Sequence, residues 1–95
     1  MNISDIKIRK TISEGRLRAI VSMTLDDTLA VHDIKVVQGD ERLFVAMPSR
    51  KDEKGVFRDI VHPISPDARQ DVEQQILDAY SRHIAITEAE QQMLS

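Results

Sequence analysis

The clearest pattern in the chain is an alternation of apolar and polar residues between Leu17 and Leu25. Apolar side chains share one parity there, and mostly polar residues take the other: the apolar set is Leu17, Ala19, Val21, Met23 and Leu25. A period of two residues is typical of a β-strand with one buried face. This stretch therefore predicts a strand near the centre of a sheet.

Neighbouring segments predict further strands. Ile3 to Thr11 alternates in the same way, and Ser13-Glu14-Gly15 follows as a hairpin turn, because glycine tolerates the positive φ that such a turn demands. Leu29 to Val37 is rich in β-branched residues, but its apolar residues change parity near His32-Asp33. A change of parity within a strand predicts a β-bulge at that point.

A hydrophilic arm then separates two apolar segments. Leu43 to Met47 is a short strand that ends at Pro48, since proline lacks the amide that a ladder needs. Ser49 to Gly55 contains no apolar side chain, and Val56 to His62 returns as a strand. We expect the two strands to pair as a long β-hairpin with the arm at its tip.

The residues from Ser65 onward predict helix. Ser65 suits the N-cap, Pro66 the first helical position, and Asp67 adds an acid to the first turn. An apolar stripe at helical spacing follows, which a sheet must cover; it comprises Ala68, Val72, Ile76, Ala79 and Tyr80, with Leu77 and Ile84 nearby. Thr87 to Glu90 has the spacing of a capping box, which predicts a short last helix carrying Met93 and Leu94.

These elements predict one α+β domain over residues 1–95. Residues 1–64 form an antiparallel β-sheet of about five strands built from β-hairpins, and residues 65–95 form a C-terminal helical segment that packs on it. No apolar stretch approaches the ~20 residues of a membrane span, and no secretory signal opens the chain. We therefore expect a cytoplasmic protein without a membrane partner. Cysteine is absent, which excludes disulfides and cysteine-based sites.

No set of residues with catalytic spacing emerges. His32-Asp33 and the Asp59 to His62 segment each place an imidazole near a carboxylate, but neither has the spacing of a zinc site or a neighbouring nucleophile. We expect structural roles for these histidines. The isolated glycines form no phosphate-binding loop. The sequence thus predicts no enzymatic activity, no catalytic residues, no metal and no cofactor.

The basic residues point to nucleic acid as a partner. The net charge is −3, yet residues 1–64 hold 11 Lys and Arg against 10 Asp and Glu, and residues 65–95 hold 2 against 6. The acidity therefore belongs to the helix. The candidate phosphate contacts lie in and just after the arm, with auxiliaries beside the first hairpin turn: Arg50, Lys51, Lys54 and Arg58, with Arg16 and Arg18.

Two alternatives stay open. A charged loop is often only solvated and binds nothing, and Asp52 and Glu53 reduce the positive charge of this one.

Phe44 and Phe57 alternate with core positions, so stacking on unpaired bases is not expected, whereas contacts to phosphates and duplex grooves remain possible for the basic residues. Exposed apolar strand edges favour a two-fold homodimer through the sheet. The same edges, or the acidic helix, could instead serve a protein-interaction module without nucleic-acid contact.

Four motifs resemble the stage V sporulation protein G family, bacterial septation and gene regulators, over about residues 1–82. They are GRLRAI at Gly15–Ile20, VHDIKV at Val31–Val36, LFVAMPS at Leu43–Ser49 and GVFRDIVHPI at Gly55–Ile64. The resemblance implies a small α+β fold, a dimer made through the sheet, and a non-enzymatic protein that binds DNA and, in some members, RNA.

The resemblance also implies which residues bind. The family's basic pair after MPS falls on Arg50 and Lys51, and the arginine of FRDI on Arg58. Lys54 is a further base where relatives often carry an acidic or neutral residue. Many relatives have a lysine after the first arginine of the helix, whereas Gln70 and Asp71 follow that arginine here. Both departures concentrate the predicted contact in the arm.

Overall fold

The computed structural model describes residues 2–94, with side chains through residue 92, as six strands and one helix. Strands β1 (Ile3–Thr11), β2 (Leu17–Leu25), β3 (Leu29–Gln38) and β4 (Leu43–Ala46) form an antiparallel sheet in that order. Strands β5 (Ser49–Lys51) and β6 (Phe57–Asp59) form a separate two-stranded sheet, and helix α1 (Pro66–Leu94) ends the chain. The predicted α+β class is confirmed, with one more strand than expected.

The core lies between the four-stranded sheet and α1. β2 is an inner strand, as predicted, and its side chains Ala19 and Val21 are completely buried. From the helix, Ile76 is buried to the same extent, and Val72 and Tyr80 pack around it. Each fully buried aliphatic side chain of this size contributes about 1.5–3 kcal/mol to folding. The predicted apolar stripe is thus the face that joins the helix to the sheet.

The parity change in β3 is a β-bulge, as predicted. Met23 lies opposite Val31 and Val21 lies opposite Ile34, so β3 has one residue more than β2 between these pairs. Asp33 takes up the extra residue with a φ of 61°, a conformation that aspartate tolerates better than most side chains. The bulge lets Val31 and Ile34 both face the core.

Helix α1 begins where the sequence predicts but does not break. Ser65 Oγ accepts the N–H of Ala68 at 3.1 Å, which is an N-cap bond. The predicted short last helix is wrong, because α1 continues through Thr87, whose hydroxyl donates to the carbonyl of His83 at 2.9 Å. The side chains of Met93 and Leu94 lie outside the described residues. Within residues 2–94, no helix combines the length and the apolar character needed to span a bilayer.

The predicted long hairpin is wrong in its pairing. β4 pairs with β3, with Val45 opposite Val36, and both of these side chains are buried. The strand after the arm pairs instead with the arm, as β6 with β5. Pro48 separates the two sheets, and its carbonyl accepts the N–H of Ile60 at 2.8 Å. Burial of Val45 explains why the first sheet recruits β4.

Candidate nucleic-acid interface

The arm and the strand that follows it fold together as a β-hairpin that spans residues 49–59, here called the β5–β6 hairpin. Asp52 N–H donates to the carbonyl of Val56 at 2.9 Å, and Gly55 N–H donates to that of Asp52 at 3.0 Å. Gly55 has a φ of 81°. A residue with positive φ directly after a turn is typical of the common three-residue hairpin connection. The tip therefore needs glycine at this position, and the chain supplies it.

Two arginines lie directly opposite each other on this hairpin. Arg50 pairs with Arg58 across the ladder, and directly opposite residues project from the same face. Both residues are exposed. Like charges in this position repel and destabilise a strand pair unless an anion lies between or beside them. The face of Arg50 and Arg58 is therefore a candidate for contact with a phosphate.

Asp52 partly supplies that negative charge within the hairpin. Its Oδ2 accepts Arg58 Nε–H at 2.8 Å, and its Oδ1 accepts the backbone N–H groups of Lys54 at 2.9 Å and Val56 at 3.0 Å. The hydrogen bond from Arg58 is the main cause that lowers the pKa of this carboxyl below its ordinary value, and the Val56 amide adds to it.

Sequence reasoning treated Asp52 only as a diluting charge. The signal that could have identified its structural role is aspartate at the first position of a turn and glycine at the fourth, Asp52 and Gly55.

Lys51 lies on the other face of the hairpin. It pairs with Phe57 across the ladder, and its Nζ is 5.6 Å from the centre of the phenyl ring, within cation–π range. The expectation that Phe57 points to the core is wrong, since the side chain is 68% exposed. The reason is that β6 pairs with β5 in the separate two-stranded sheet and not with the four-stranded sheet among the described residues. Phe44 is also partly exposed.

Lys54 is exposed at the hairpin tip. Its backbone is held by Asp52, while its side chain is free to reach beyond the loop. The four residues predicted in and just after the arm thus divide into an arginine pair on one face, Lys51 with an exposed aromatic ring on the other, and Lys54 at the tip. All four are accessible to a ligand.

Arg16 and Arg18 are not grouped with the hairpin. Arg16 Nη2 lies 3.0 Å from Asp40 Oδ1, and Arg18 Nη1 donates to the carbonyls of Ser13 and Gly15 at 3.1 and 3.2 Å. In the sheet register they belong to the end at which β4 begins, whereas β5 leaves from the end at which β4 stops. Arg16 and Arg18 therefore remain auxiliary candidates in a different part of the fold from the β5–β6 hairpin.

The histidines make local hydrogen bonds. Arg9 Nε–H donates to Ser22 Oγ at 3.2 Å, and the same hydroxyl is hydrogen-bonded to His32 Nδ1 at 2.9 Å. His62 Nδ1 donates to the carbonyl of Pro63 at 3.1 Å. Among the described residues, no group of three or more histidine, aspartate and glutamate side chains is placed to hold a metal ion. Sequence reasoning did not predict that Ser22 is buried; its hydroxyl is hydrogen-bonded to Arg9 and His32.

An exposed apolar strip begins on the β5–β6 hairpin and continues past it; it is defined as Val56, Phe57, Ile60, Val61 and Ile64. Its members are between 38% and 91% exposed, an unusual concentration for so short a segment. The strip borders a groove of about 370 Å³ between the sheet and the start of α1. Met23, Met47 and Val72 form part of its wall. This surface is apolar enough to favour burial against another chain.

Comparison with known proteins matches this chain to one family. The SpoVG family model covers residues 1–82. A relative from Clostridium botulinum (strain Eklund 17B / Type B) is 49% identical over 92 residues, which cover 97% of this chain and 100% of the relative. A Desulforudis audaxviator relative is 51% identical over 85 residues, 90% and 97% of the two chains. Each is named "Putative septation protein SpoVG". The resemblance seen in the four motifs is confirmed.

Proposed function

Because this chain belongs to the SpoVG family, we propose that it is a non-enzymatic regulator that binds nucleic acid as a homodimer and acts in septation and gene expression. DNA is the principal ligand, RNA is a second one, and the site of action is the bacterial cytoplasm. The part in septation rests on the names of the relatives. No cofactor or metal takes part in this proposal.

The observation that carries the proposal is the Arg50–Arg58 pair. Two guanidinium groups on one face of an exposed hairpin can each donate to phosphate oxygens without a desolvation cost. The carboxylate of Asp52 already occupies Arg58 Nε–H as a phosphate oxygen would. Lys51 and Lys54 extend the positive surface around the hairpin, which agrees with binding through the nucleic-acid backbone.

Dimerisation is supported by surfaces next to the hairpin. A two-stranded sheet with three residues in each strand has only marginal stability on its own. The side chains of the apolar strip are exposed in a single chain. Strand β4 is at the edge of the four-stranded sheet, and its outer edge has no partner strand within residues 2–94. A two-fold axis near the strip would bury it on both copies and present two hairpins to a duplex.

A second candidate function, that of a protein-interaction module, is favoured by the same apolar strip. In that case the strip and groove receive a division or regulatory protein, and the hairpin arginines make no contact with nucleic acid. The two functions differ in their dependence on charge. Capture of a partner through the strip would survive loss of the arm charges, whereas phosphate binding would not.

The test is a binding titration of the Arg50→Ala, Lys51→Ala double variant. Fluorescence anisotropy against duplex DNA, single-stranded DNA and a structured RNA is measured at two salt concentrations. We expect weaker binding and a flatter salt dependence for the variant, with an unshifted thermal melt because both residues are exposed. The control is the Arg69→Ala, Arg82→Ala double variant on the helix, which removes the same amount of positive charge. Equal binding by the arm variant and the wild type would overturn the proposal.

A further inference from the structure

The two carboxylate oxygens of Asp52 have separate tasks in the β5–β6 hairpin. Oδ1 holds the tip, since it accepts both Lys54 N–H and Val56 N–H. Oδ2 faces the strand and accepts Nε–H of Arg58 at 2.8 Å. The first task needs only an acceptor, which an uncharged amide oxygen also provides. Arg58 is the one charged side chain in contact with this carboxylate among the described residues.

The two arginines of the pair differ in this respect. Arg58 has an acidic partner, whereas Arg50, among the residues that the structure describes, has none. The Asp52 side chain is 26% exposed and the Arg58 side chain 72% exposed, so the carboxylate is sheltered and the guanidinium remains open to a ligand. An incoming phosphate meets Arg58 with its Nε–H already engaged.

We infer that Asp52 is a built-in competitor of phosphate for the Nε edge of Arg58, so that a ligand makes the side-on bidentate contact through Nε–H and Nη–H only by displacing this carboxylate, while the Nη1 and Nη2 end stays open. Bidentate recognition of an anion uses two parallel N–H donors of a guanidinium, and the Asp52 contact removes Nε–H from that set. This inference rests on the proposed nucleic-acid function. It makes Asp52 a residue that lowers affinity for polyanions in general.

Asp52 also affects which ligands bind, because a phosphate must replace its carboxylate at Arg58 Nε–H. A ligand that takes only the Nε edge of Arg58 replaces the Asp52 contact with its own, so it gains little. A ligand whose backbone also reaches Arg50, Lys51 or Lys54 gains contacts that no internal acid opposes. Discrimination of this kind arises from an element that disfavours the wrong ligand.

The test compares Asp52→Asn with Glu53→Gln. The first keeps an oxygen for Lys54 N–H and Val56 N–H but turns an amide NH₂ toward Arg58, whereas the second makes the same charge change at an exposed neighbour. Against a duplex DNA, Asp52→Asn should bind roughly two- to fivefold more tightly than Glu53→Gln, the range that an exposed ion pair is worth. Its salt dependence should steepen by about 0.9, or one phosphate contact.

A readout without nucleic acid separates this inference from the proposed function. The ¹⁵N signal of Arg58 Nε–H is followed during titration with inorganic pyrophosphate. We expect a larger shift in Asp52→Asn than in the wild type, where the carboxylate competes. If no variant binds nucleic acid but this difference appears, the proposed function fails and the competition stands. Equal pyrophosphate responses would overturn the inference, and so would equal DNA affinities of Asp52→Asn and Glu53→Gln where both variants bind DNA measurably.

Discussion

Arg50 and Arg58 lie directly opposite each other across the β5–β6 ladder, on one exposed face of a hairpin whose strands are each three residues long. Proteins avoid like charges in this position unless something offsets the repulsion. Asp52 offsets part of it through Arg58, and Arg50 stays uncompensated within the described residues. The pair is therefore an energetic cost to the free protein that a bound phosphate would relieve.

A double-mutant cycle on this pair tests whether both arginines hold the same phosphate. Arg50→Ala and Arg58→Ala should each weaken duplex binding, and the double variant should lose less than the two single losses combined. The slope of affinity against salt should then fall by about 0.9, as for one phosphate, and not by twice that amount. Fully additive losses with the larger change in slope would show that the two side chains contact separate phosphates.

The titration of Asp52 provides a test at acid pH. Because the pKa of a carboxylate held by Arg58 is lowered, this contact stabilises the folded hairpin above pH 3.8 and is lost as the pH falls further. We expect a ¹³C carboxyl titration of Asp52 with a midpoint below 3.8. The midpoint should rise in Arg58→Ala, since that side chain is the main cause of the shift. A wild-type midpoint at or above 3.8 would contradict the described contact.

Charges in the apolar strip should separate the dimer without unfolding the chain. Ile60 is 64% exposed and Ile64 is 91% exposed, so aspartate at both positions costs the monomer little. Sedimentation velocity should show a dimer for the wild type and a monomer for the Ile60→Asp, Ile64→Asp variant. Ile86→Asp is the control, because Ile86 is 59% exposed on the helix away from the strip. A variant that stays as dimeric as this control would place the interface elsewhere.

The assigned sheet faces are tested by charge at a buried position. Val21 is completely buried, so Val21→Asp places an unpaired carboxylate in the core at a cost of several kcal/mol. That cost approaches the total stability of a small domain, about 5–15 kcal/mol. Circular dichroism should show an unfolded chain, while Ala30→Asp, at an exposed position in β3, should melt close to the wild type. An unshifted melt for Val21→Asp would mean that the faces are inverted.

Much of the fold could be predicted because local patterns and the final structure agree. The alternation in Leu17–Leu25, the bulge at Asp33 and the N-cap at Ser65 each follow from side-chain period or backbone preference within a few residues. The partner of Leu43–Ala46 could not be predicted in this way. Its choice of β3 depends on burial of Val45 against a core that distant segments create.

The candidate site was predicted in composition but not in geometry. Sequence reasoning selected Arg50 and Lys51 from their positions in an arm without apolar residues, Arg58 from the strand that leaves it, and all three from the family motifs. It could not divide them between two faces, because that division depends on the register of a hairpin hidden within the arm. The exposure of Phe57 was missed for the same reason. A strand assigned to the main sheet was expected to bury its alternate residues.

The measurement that tests the central claim most directly is a ¹H–¹⁵N correlation spectrum of the labelled protein during titration with duplex DNA. We predict that the largest shifts fall on amides of residues 50–58, with Arg50 and Arg58 among them, while amides of α1 between residues 66 and 82 move little. A map centred on α1 or on the first hairpin near Arg16, with the β5–β6 hairpin unchanged, would contradict the assignment of the nucleic-acid interface.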